Sequence, residues 1–362
     1  MDPINLFDFE ALAVERVAPL AWEYFVSGVE DEYGVAENRD AFRRIKLRPR
    51  VLADVATRDL STTVLGQPVS LPVLLAPTSH QHMAHPDAEL ATARGAADAG
   101  TLAVLGTGNH CSIEEVTAAV QHPFWFQMYC YESRAVTERI IRRAEAAGAG
   151  ALVVTADATF PPRRERHIRS GFALPPEVEL RNLIGVGLQD HLLQAENGGM
   201  AAFIDSLKIF LLTWDEIDWM RSITKTPIVI KGVMTAEDAV LAVEHGVDAI
   251  IVSNHGARQV DGTIAPIEAL GEIAERVDGR IEVLMDGGIR RGTDVLKALA
   301  LGARAVLIGR PYIWGLAVDG AAGVQQVIEL LRNEIDLAMA QCGQADVKKI
   351  GRSLVKVKRT ED

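Results

Sequence analysis

No apolar run in this chain approaches the roughly 18 residues that a helix needs to span a bilayer, so we predict no membrane span. The N-terminus also lacks a basic segment followed by an apolar one, and we therefore predict no signal peptide. These two absences lead us to expect a cytoplasmic protein that has no membrane partner.

An excess of basic residues is absent as well. The chain has 37 Lys and Arg against 49 Asp and Glu, which gives a net charge of -12. This balance argues against a nucleic-acid partner, because a surface that binds nucleic acid needs clustered positive charge. Cysteine is scarce too: Cys111, Cys130 and Cys342 lack the spacing of a metal site, so we expect free thiols in a reducing compartment.

From residue 71 onward the sequence alternates short apolar runs with amphipathic stretches. Eight runs predict buried strands: Val73–Ala76, Leu102–Leu105, Phe124–Met128, Ala151–Thr155, Ile228–Ile230, Ala249–Val252, Val283–Met285 and Ala305–Ile308. The helical patterns between them include Asp87–Ala99, Ile113–Val120, Arg134–Ala147, Trp214–Thr224, Ala236–His245, Ile267–Arg276 and Asp294–Leu301. This alternation predicts either a closed (β/α)8 TIM barrel or a doubly wound sheet, and the strand count favours the barrel.

We expect a single domain over residues 1–362, in which residues 1–70 form a helical extension before the barrel and residues 316–341 form its last helix. The connection 158–213, after the fourth strand, is unusually long for a compact domain and contains Pro161-Pro162 and Gly198-Gly199. Such a segment is typical of an active-site loop or lid.

The segment Ser253–Gln259 follows the apolar run Ala249–Val252, at the end of the sixth predicted strand. In a β/α barrel the loops at the C-terminal ends of the strands build the active site. His255 can transfer a proton and Arg258 can bind a carboxylate, which favours an enzyme that acts on a small acid. The alternative is a capped loop in which both side chains only satisfy backbone carbonyls.

Glycines and arginines follow the last two predicted strands, in Asp286–Arg290 and in Gly309-Arg310. They predict a phosphate site, because glycine lets the backbone approach an anion and arginine adds charged hydrogen bonds. Glycine-rich turns without a ligand are the alternative. At the end of the fifth strand, Lys231 can form a Schiff base, offer a cation to a ring that becomes anionic, or belong to a structural ion pair.

Four motifs in strand order, Gln127–Tyr129, Lys231–Val233, Ser253–Gln259 and Asp286–Arg291, resemble those of the FMN-dependent 2-hydroxy-acid oxidase and dehydrogenase family. This family includes glycolate oxidase, lactate oxidase and mandelate dehydrogenase, and the resemblance covers nearly the whole chain. It implies FMN as the cofactor, oxidation of an (S)-2-hydroxy acid to the 2-oxo acid, and a homo-oligomer, specifically a tetramer.

The resemblance also implies roles for individual residues. His255 would be the base that takes a proton from the substrate, and Asp157 would hold its imidazole. Lys231 would lie beside the N1–C2 edge of the flavin and stabilise the reduced ring. Three residues are implied to bind the substrate carboxylate, namely Tyr24, Arg164 and Arg258. Tyr129 is implied to hydrogen-bond the substrate hydroxyl oxygen. The remaining residues implied to contact FMN are Thr78, Ser79, Gln127, Thr155, Ser253, Asp286, Gly287, Gly288, Arg290, Gly309 and Arg310.

Three positions depart from the family pattern. Gly108 stands where glycolate oxidase has a large tryptophan, Gly106 replaces a serine, and Ser79 replaces an alanine or glycine near flavin N5. The loss of the tryptophan predicts a substrate side chain larger than that of glycolate, aliphatic or aryl. One further feature is a group of histidines whose spacing fits no standard metal site, so we expect no metal: His80, His82, His85 and His110.

We expect oxygen as the electron acceptor, because residues 158–213 contain no obvious membrane-inserting segment. One alternative is a dehydrogenase that uses a quinone or another carrier. A second is an FMN enzyme that oxidises a peptide- or carrier-linked substrate, although Arg258 and Tyr24 favour a free carboxylate. A third is a non-catalytic phosphate-binding barrel, which has no need for a histidine oriented by Asp157.

Overall fold

The computed structural model describes residues 2–131, 133–175, 177–187 and 212–357. Eight parallel strands form a closed barrel, and Val306 in the eighth strand pairs with Val73 in the first. The barrel strands are Val73–Leu75, Ala103–Gly106, Phe124–Met128, Leu152–Thr155, Ile228–Val233, Ala249–Val252, Glu282–Asp286 and Ala305–Ile308. The predicted (β/α)8 barrel is therefore confirmed, with every predicted strand in place.

Helices precede the barrel in the chain and pack around it. They are Leu6–Arg16, Pro19–Val26, Tyr33–Asp40, Ala88–Asp98, Ile113–Ala119, Arg134–Ala146, Glu165–Ser170, Trp214–Ile223, Ala236–Glu244, Pro266–Val277, Gly292–Ala300 and Arg310–Cys342. Ser112 begins one of them with a capping box, in which its hydroxyl and the Glu115 carboxylate each accept the other residue's backbone N–H. The last helical segment begins at Arg310, earlier than the predicted residue 316, because Pro311 is compatible with a first helical turn, and it is kinked at Asp319 and Gly320, whose backbone angles are not helical.

The strands are buried on both faces, which explains their almost continuous apolar sequences. In the first strand Leu74 points into the barrel, whereas Val73 and Leu75 pack against the surrounding helices. Trp125, fully buried, is the largest side chain of the interior cluster. The barrel is thus a packed core below the strand ends, and it holds the polar residues at those ends in fixed positions.

Residues 1–70 are helical only in their first part. Ile45–Leu47 pairs antiparallel with Val355–Val357, and Thr62–Val64 forms a hairpin with Gln67–Val69. Val64 and Val69 join the interior cluster, so the hairpin covers the N-terminal end of the barrel. Strands of 3 residues are too short for sequence periodicity to predict.

The long connection after the fourth strand is described up to residue 187. It contains the helix Glu165–Ser170 and a short turn of 3-10 helix at Arg181–Leu183. Residues 188–211 of the predicted lid, with Gly198-Gly199, lie outside the described residues. Within the described parts of the chain, no helix combines the length and the apolar character needed to cross a membrane.

Candidate active site

A cavity of about 730 Å³ opens at the C-terminal ends of the barrel strands. Its walls include all the residues predicted for the site except Asp157 and Ser253, which lie directly behind it. The predicted residues that line it are Tyr24, Thr78, Ser79, Gln127, Tyr129, Thr155, Arg164, Lys231, His255, Arg258, Asp286, Gly287, Gly288, Arg290, Gly309 and Arg310. The barrel thus gathers side chains from distant parts of the sequence around one space.

His255 and Asp157 form a hydrogen-bonded pair at the cavity wall. The His255 Nδ1 atom lies 2.9 Å from Asp157 Oδ1, and the backbone N–H of His255 donates to the Ser253 hydroxyl at 3.1 Å. His255 and Ala257 adopt left-handed backbone conformations, with φ of 57° and 60°. Residues other than glycine rarely do so, and such local strain is concentrated at functional sites.

Burial favours the neutral form of the imidazole in this pair. Burial lowers the pKa of His255 below its usual value of 6.5, and Lys231 adds to this effect, although Asp157 opposes it. Burial of Asp157 disfavours its ionised form, but His255 and Lys231 outweigh that effect and lower the pKa of the carboxyl group. Because the carboxylate can only accept, Nδ1 carries the imidazole proton and Nε2 is left to accept one.

Gly232 brings the fifth strand close to Asp157. Its φ is 112°, and a Cβ atom at this position would lie 2.6 Å from the Asp157 Cβ. Glycine is therefore required where the strand and the carboxylate approach.

Lys231 extends from the same strand and is almost completely buried. Its ammonium donates to the Ser253 hydroxyl at 2.9 Å and lies 3.4 Å from Asp286 Oδ2. Burial disfavours this charge, but Asp286 and Asp157 outweigh that effect and raise the lysine pKa. A Schiff-base lysine needs a lowered pKa, so the geometry favours a fixed cation that is also ion-paired.

Two guanidinium groups, those of Arg164 and Arg258, line the cavity together. Arg258 Nη1 donates to the backbone carbonyls of Tyr24 at 2.8 Å and Ser27 at 2.7 Å, and the group lies 5.1 Å from the centre of the Tyr24 ring. Burial and the nearby Arg164 lower the pKa of Arg258 well below its usual value. Arg164 Nε is buried without a hydrogen-bond partner among the described residues. An anion between these two groups would relieve their repulsion.

Two further arginines, Arg290 and Arg310, line the cavity, and Arg310 donates to the same Ser27 carbonyl as Arg258. Arg290 is buried over Trp314, 4.8 Å from the ring centre, and its Nε has no partner in the described part of the chain. Burial, together with the charge of Arg310, lowers the pKa of Arg290 to about 9. Arg310 donates to the carbonyls of Phe25, Gly256 and Ser27, so it also fixes the end of the helix that carries Tyr24.

Sequence reasoning missed Asn38, which supports the site. Asn38, from the N-terminal extension, exchanges two amide hydrogen bonds with Asn254 at 2.9 and 2.8 Å. Its backbone carbonyl would lie 1.8 Å from a Cβ atom at position 288, where Gly288 has a φ of 81°. A single polar residue in a helical pattern gives no signal of this contact. No group of three or more His, Cys, Asp or Glu residues that could hold a metal ion occurs in the described part of the chain.

Comparison with known sequences decides the family. The profile of the FMN-dependent dehydrogenase family matches residues 13–357. The chain belongs to this family. As a member of the FMN-dependent dehydrogenase family, the protein is an oxidoreductase whose cofactor is FMN.

Relatives in the same family cover almost the entire chain. L-lactate oxidase from Nostoc sp. strain PCC 7120 is 49% identical over 359 residues, 98% of each chain. Glycolate oxidase from Spinacia oleracea is 45% identical over 353 residues, 98% of this chain and 95% of the relative. The structure of mandelate oxidase with (S)-2-phenylpropionate matches with a TM-score of 0.89 and 38% identity, covering 98% of this chain and 99% of the other.

The cavity residues fit FMN. A volume of about 730 Å³ is within the usual range for a cofactor site. Arg290 Nε and Asp286 Oδ1 are buried without partners among the described residues, and both residues line the cavity. A phosphate can accept from the guanidinium and a ribityl hydroxyl can donate to the carboxylate, so the family cofactor would satisfy both orphaned groups.

Proposed function

We propose that this protein oxidises an (S)-2-hydroxy acid to the corresponding 2-oxo acid and uses oxygen as the electron acceptor. One observation carries the proposal: a neutral histidine, oriented by Asp157, lines a cavity that also contains the guanidinium groups of Arg164 and Arg258. Oxidation of a small 2-hydroxy acid requires a base that takes a proton from the reacting centre and a cationic site that binds the carboxylate, and both occur in this cavity.

In this proposal His255 Nε2 takes a proton from the substrate, and the Asp157 carboxylate stabilises the imidazolium that forms. Arg258 and Arg164 bind the substrate carboxylate together with Tyr24. Burial raises the pKa of Tyr129, so its phenol stays protonated and can donate to the substrate oxygen.

Bound FMN would accept the two electrons and the second hydrogen that leave the substrate. The Lys231 ammonium would stabilise the negative charge of the reduced ring. The other residues proposed to hold FMN are Thr78, Ser79, Gln127, Thr155, Asp286, Gly287, Gly288, Arg290, Gly309 and Arg310. Ser253 is left out of this set, because its side chain lies behind the cavity wall. There its hydroxyl accepts hydrogen bonds from the Lys231 ammonium and from the His255 backbone N–H.

We propose further that the substrate side chain is larger than that of glycolate. Gly108 lines the cavity without a side chain, and a Cβ atom there would lie 2.2 Å from Ser79 Oγ, so the small Ser79 side chain and not a tryptophan borders the cavity at this point. Apolar side chains also line the cavity, among them Phe160, Phe172 and Leu174. A relative named for lactate and a solved relative named for mandelate are consistent with substrates beyond glycolate.

Turnover of glycolate, lactate, 2-hydroxyoctanoate and mandelate tests this substrate range, with oxygen consumption and peroxide measured together. We expect the larger acids to be preferred, and a clear preference for glycolate would refute the proposal. The double variant S79A/G108W, compared with S79A alone, should lose activity on the larger acids while keeping activity on glycolate.

The acceptor and the assembly are proposals as well. Peroxide formed in proportion to the acid consumed would support an oxidase, whereas turnover that needs an added quinone would favour a dehydrogenase. We also propose that the protein is a cytoplasmic homotetramer that acts on a free small molecule. Light scattering tests the assembly, because it measures the mass of the particle in solution. Turnover of a peptide- or carrier-linked acid without turnover of free acids would favour the alternative substrate class.

A further inference from the structure

His80 is a buried polar residue in the cavity wall for which the proposed mechanism has no role. Only 6% of its surface is exposed, and its side chain lines the cavity beside Tyr24, with ring centres 5.3 Å apart. Its Nδ1 atom is buried and has no hydrogen-bond partner among the described residues. An unpaired buried nitrogen costs about 1–3 kcal/mol. Because Nδ1 is enclosed, a ligand in the cavity would pair with the other ring nitrogen, Nε2, which is not among the buried unpartnered atoms.

A second histidine beside Tyr24 provides a contrast. His167 stacks on the same ring at 5.8 Å, but its Nε2 atom lies 2.8 Å from the Ser27 hydroxyl. The fold therefore provides a partner for a ring nitrogen of His167 and leaves the Nδ1 atom of His80 without one in the described residues.

The His80 imidazole is neutral. Burial, with the charges of Arg164 and Arg258, lowers its pKa to about 3. Arg164 and Arg258 already provide two cations for a carboxylate, whereas a neutral imidazole pairs best with a hydroxyl or an amide. Ser79, the adjacent residue, adds a hydroxyl to the same wall of the cavity.

From these observations we infer that His80 determines specificity by hydrogen-bonding a neutral polar group, such as a hydroxyl, on the substrate side chain next to C2. This inference rests on the proposed function, because it places the substrate carboxylate at Tyr24 and Arg258. A substrate held there would place the atoms adjacent to its carboxylate beside the imidazole, because the His80 and Tyr24 ring centres are 5.3 Å apart. The preferred substrate class would be 2-hydroxy acids that carry a second hydroxyl or an amide close to the first.

The test compares (S)-glycerate with (S)-2-hydroxybutanoate, which have nearly the same shape and differ in a terminal hydroxyl and methyl group. The H80M variant should lower the ratio of kcat/KM for glycerate to that for 2-hydroxybutanoate about tenfold, mainly through KM, since one neutral hydrogen bond is lost. H82M is the matched control, because His82 is two residues away and is not part of the cavity wall. It should leave the ratio unchanged.

Thermal unfolding of the substrate-free holoenzyme separates this role from a structural one. H80M should be as stable as the wild type or more stable, since it removes an unpaired buried nitrogen. H80N, which keeps a donor and an acceptor, should retain part of the ratio and provides a second variant.

An unchanged ratio in H80M, or an equal loss for both acids, would overturn the inference while leaving the proposed function intact. If neither acid, nor any other 2-hydroxy acid, reduces the wild-type flavin, the proposed function fails and the inference fails with it.

Discussion

Replacement of Asp157 by asparagine isolates the charge that the structure places behind His255. Asparagine can still accept the hydrogen bond from Nδ1, which now spans 2.9 Å, so the imidazole should keep its orientation. What disappears is the negative charge opposite the imidazolium that forms during the reaction. Two unit charges about 4 Å apart interact by roughly 4 kcal/mol at an effective dielectric constant of about 20.

That energy sets the expected effect. Because the proton is only partly transferred in the transition state, we expect kcat to fall by about 10²–10³, which is within the usual range for general base catalysis. KM should change little, since Asp157 does not line the cavity. The acid limb of the pH profile should move to lower pH, because loss of the carboxylate removes an influence that raises the pKa of His255.

Stopped-flow measurement of flavin reduction under anaerobic conditions gives both quantities. D218N is the matched control, because Asp218 also accepts from a histidine, at 2.7 Å from His245 Nδ1, on the outside of the barrel. The control should reduce its flavin at the wild-type rate. A D157N rate within threefold of wild type would refute the role assigned to the carboxylate.

Three further results are expected. R164M should raise KM for the acid about tenfold or more, since a charged hydrogen bond contributes about 1.5–3 kcal/mol. Steady-state kinetics measures this change, and the control variant R163M, which alters an exposed neighbour, should leave KM unchanged. K231M should lower the free energy of unfolding by about 3–5 kcal/mol by leaving Asp286 unpaired, and urea unfolding should find part of this loss restored in K231M/D286N. The rate of flavin reduction should stay constant near pH 7 and fall only below about pH 6.5, because the pKa of His255 is lowered and the base works in its neutral form.

The barrel could be predicted from the sequence because a strand buried on both faces leaves a continuous apolar run, as in Ala249–Val252. The pairing of Ile45–Leu47 with Val355–Val357 could not, since it depends on a contact between opposite ends of the chain. Local periodicity carries no information about such a contact.

The candidate site divides in the same way. His255 and Lys231 could be predicted because they directly follow recognisable strands, and strand ends converge in a barrel. The position of Arg310 could be predicted, but its three hydrogen bonds to backbone carbonyls could not. Those carbonyls belong in part to the N-terminal extension, whose arrangement over the barrel is set by tertiary packing. Asn38 escaped notice for the same reason.

The most direct test of the central claim is anaerobic. The purified yellow protein is mixed with a series of racemic 2-hydroxy acids, and the flavin absorbance is followed before and after air is admitted. We predict rapid bleaching by at least one acid larger than glycolate, and return of the colour with peroxide formation once oxygen enters. Flavin that remains oxidised with every free acid would contradict the account.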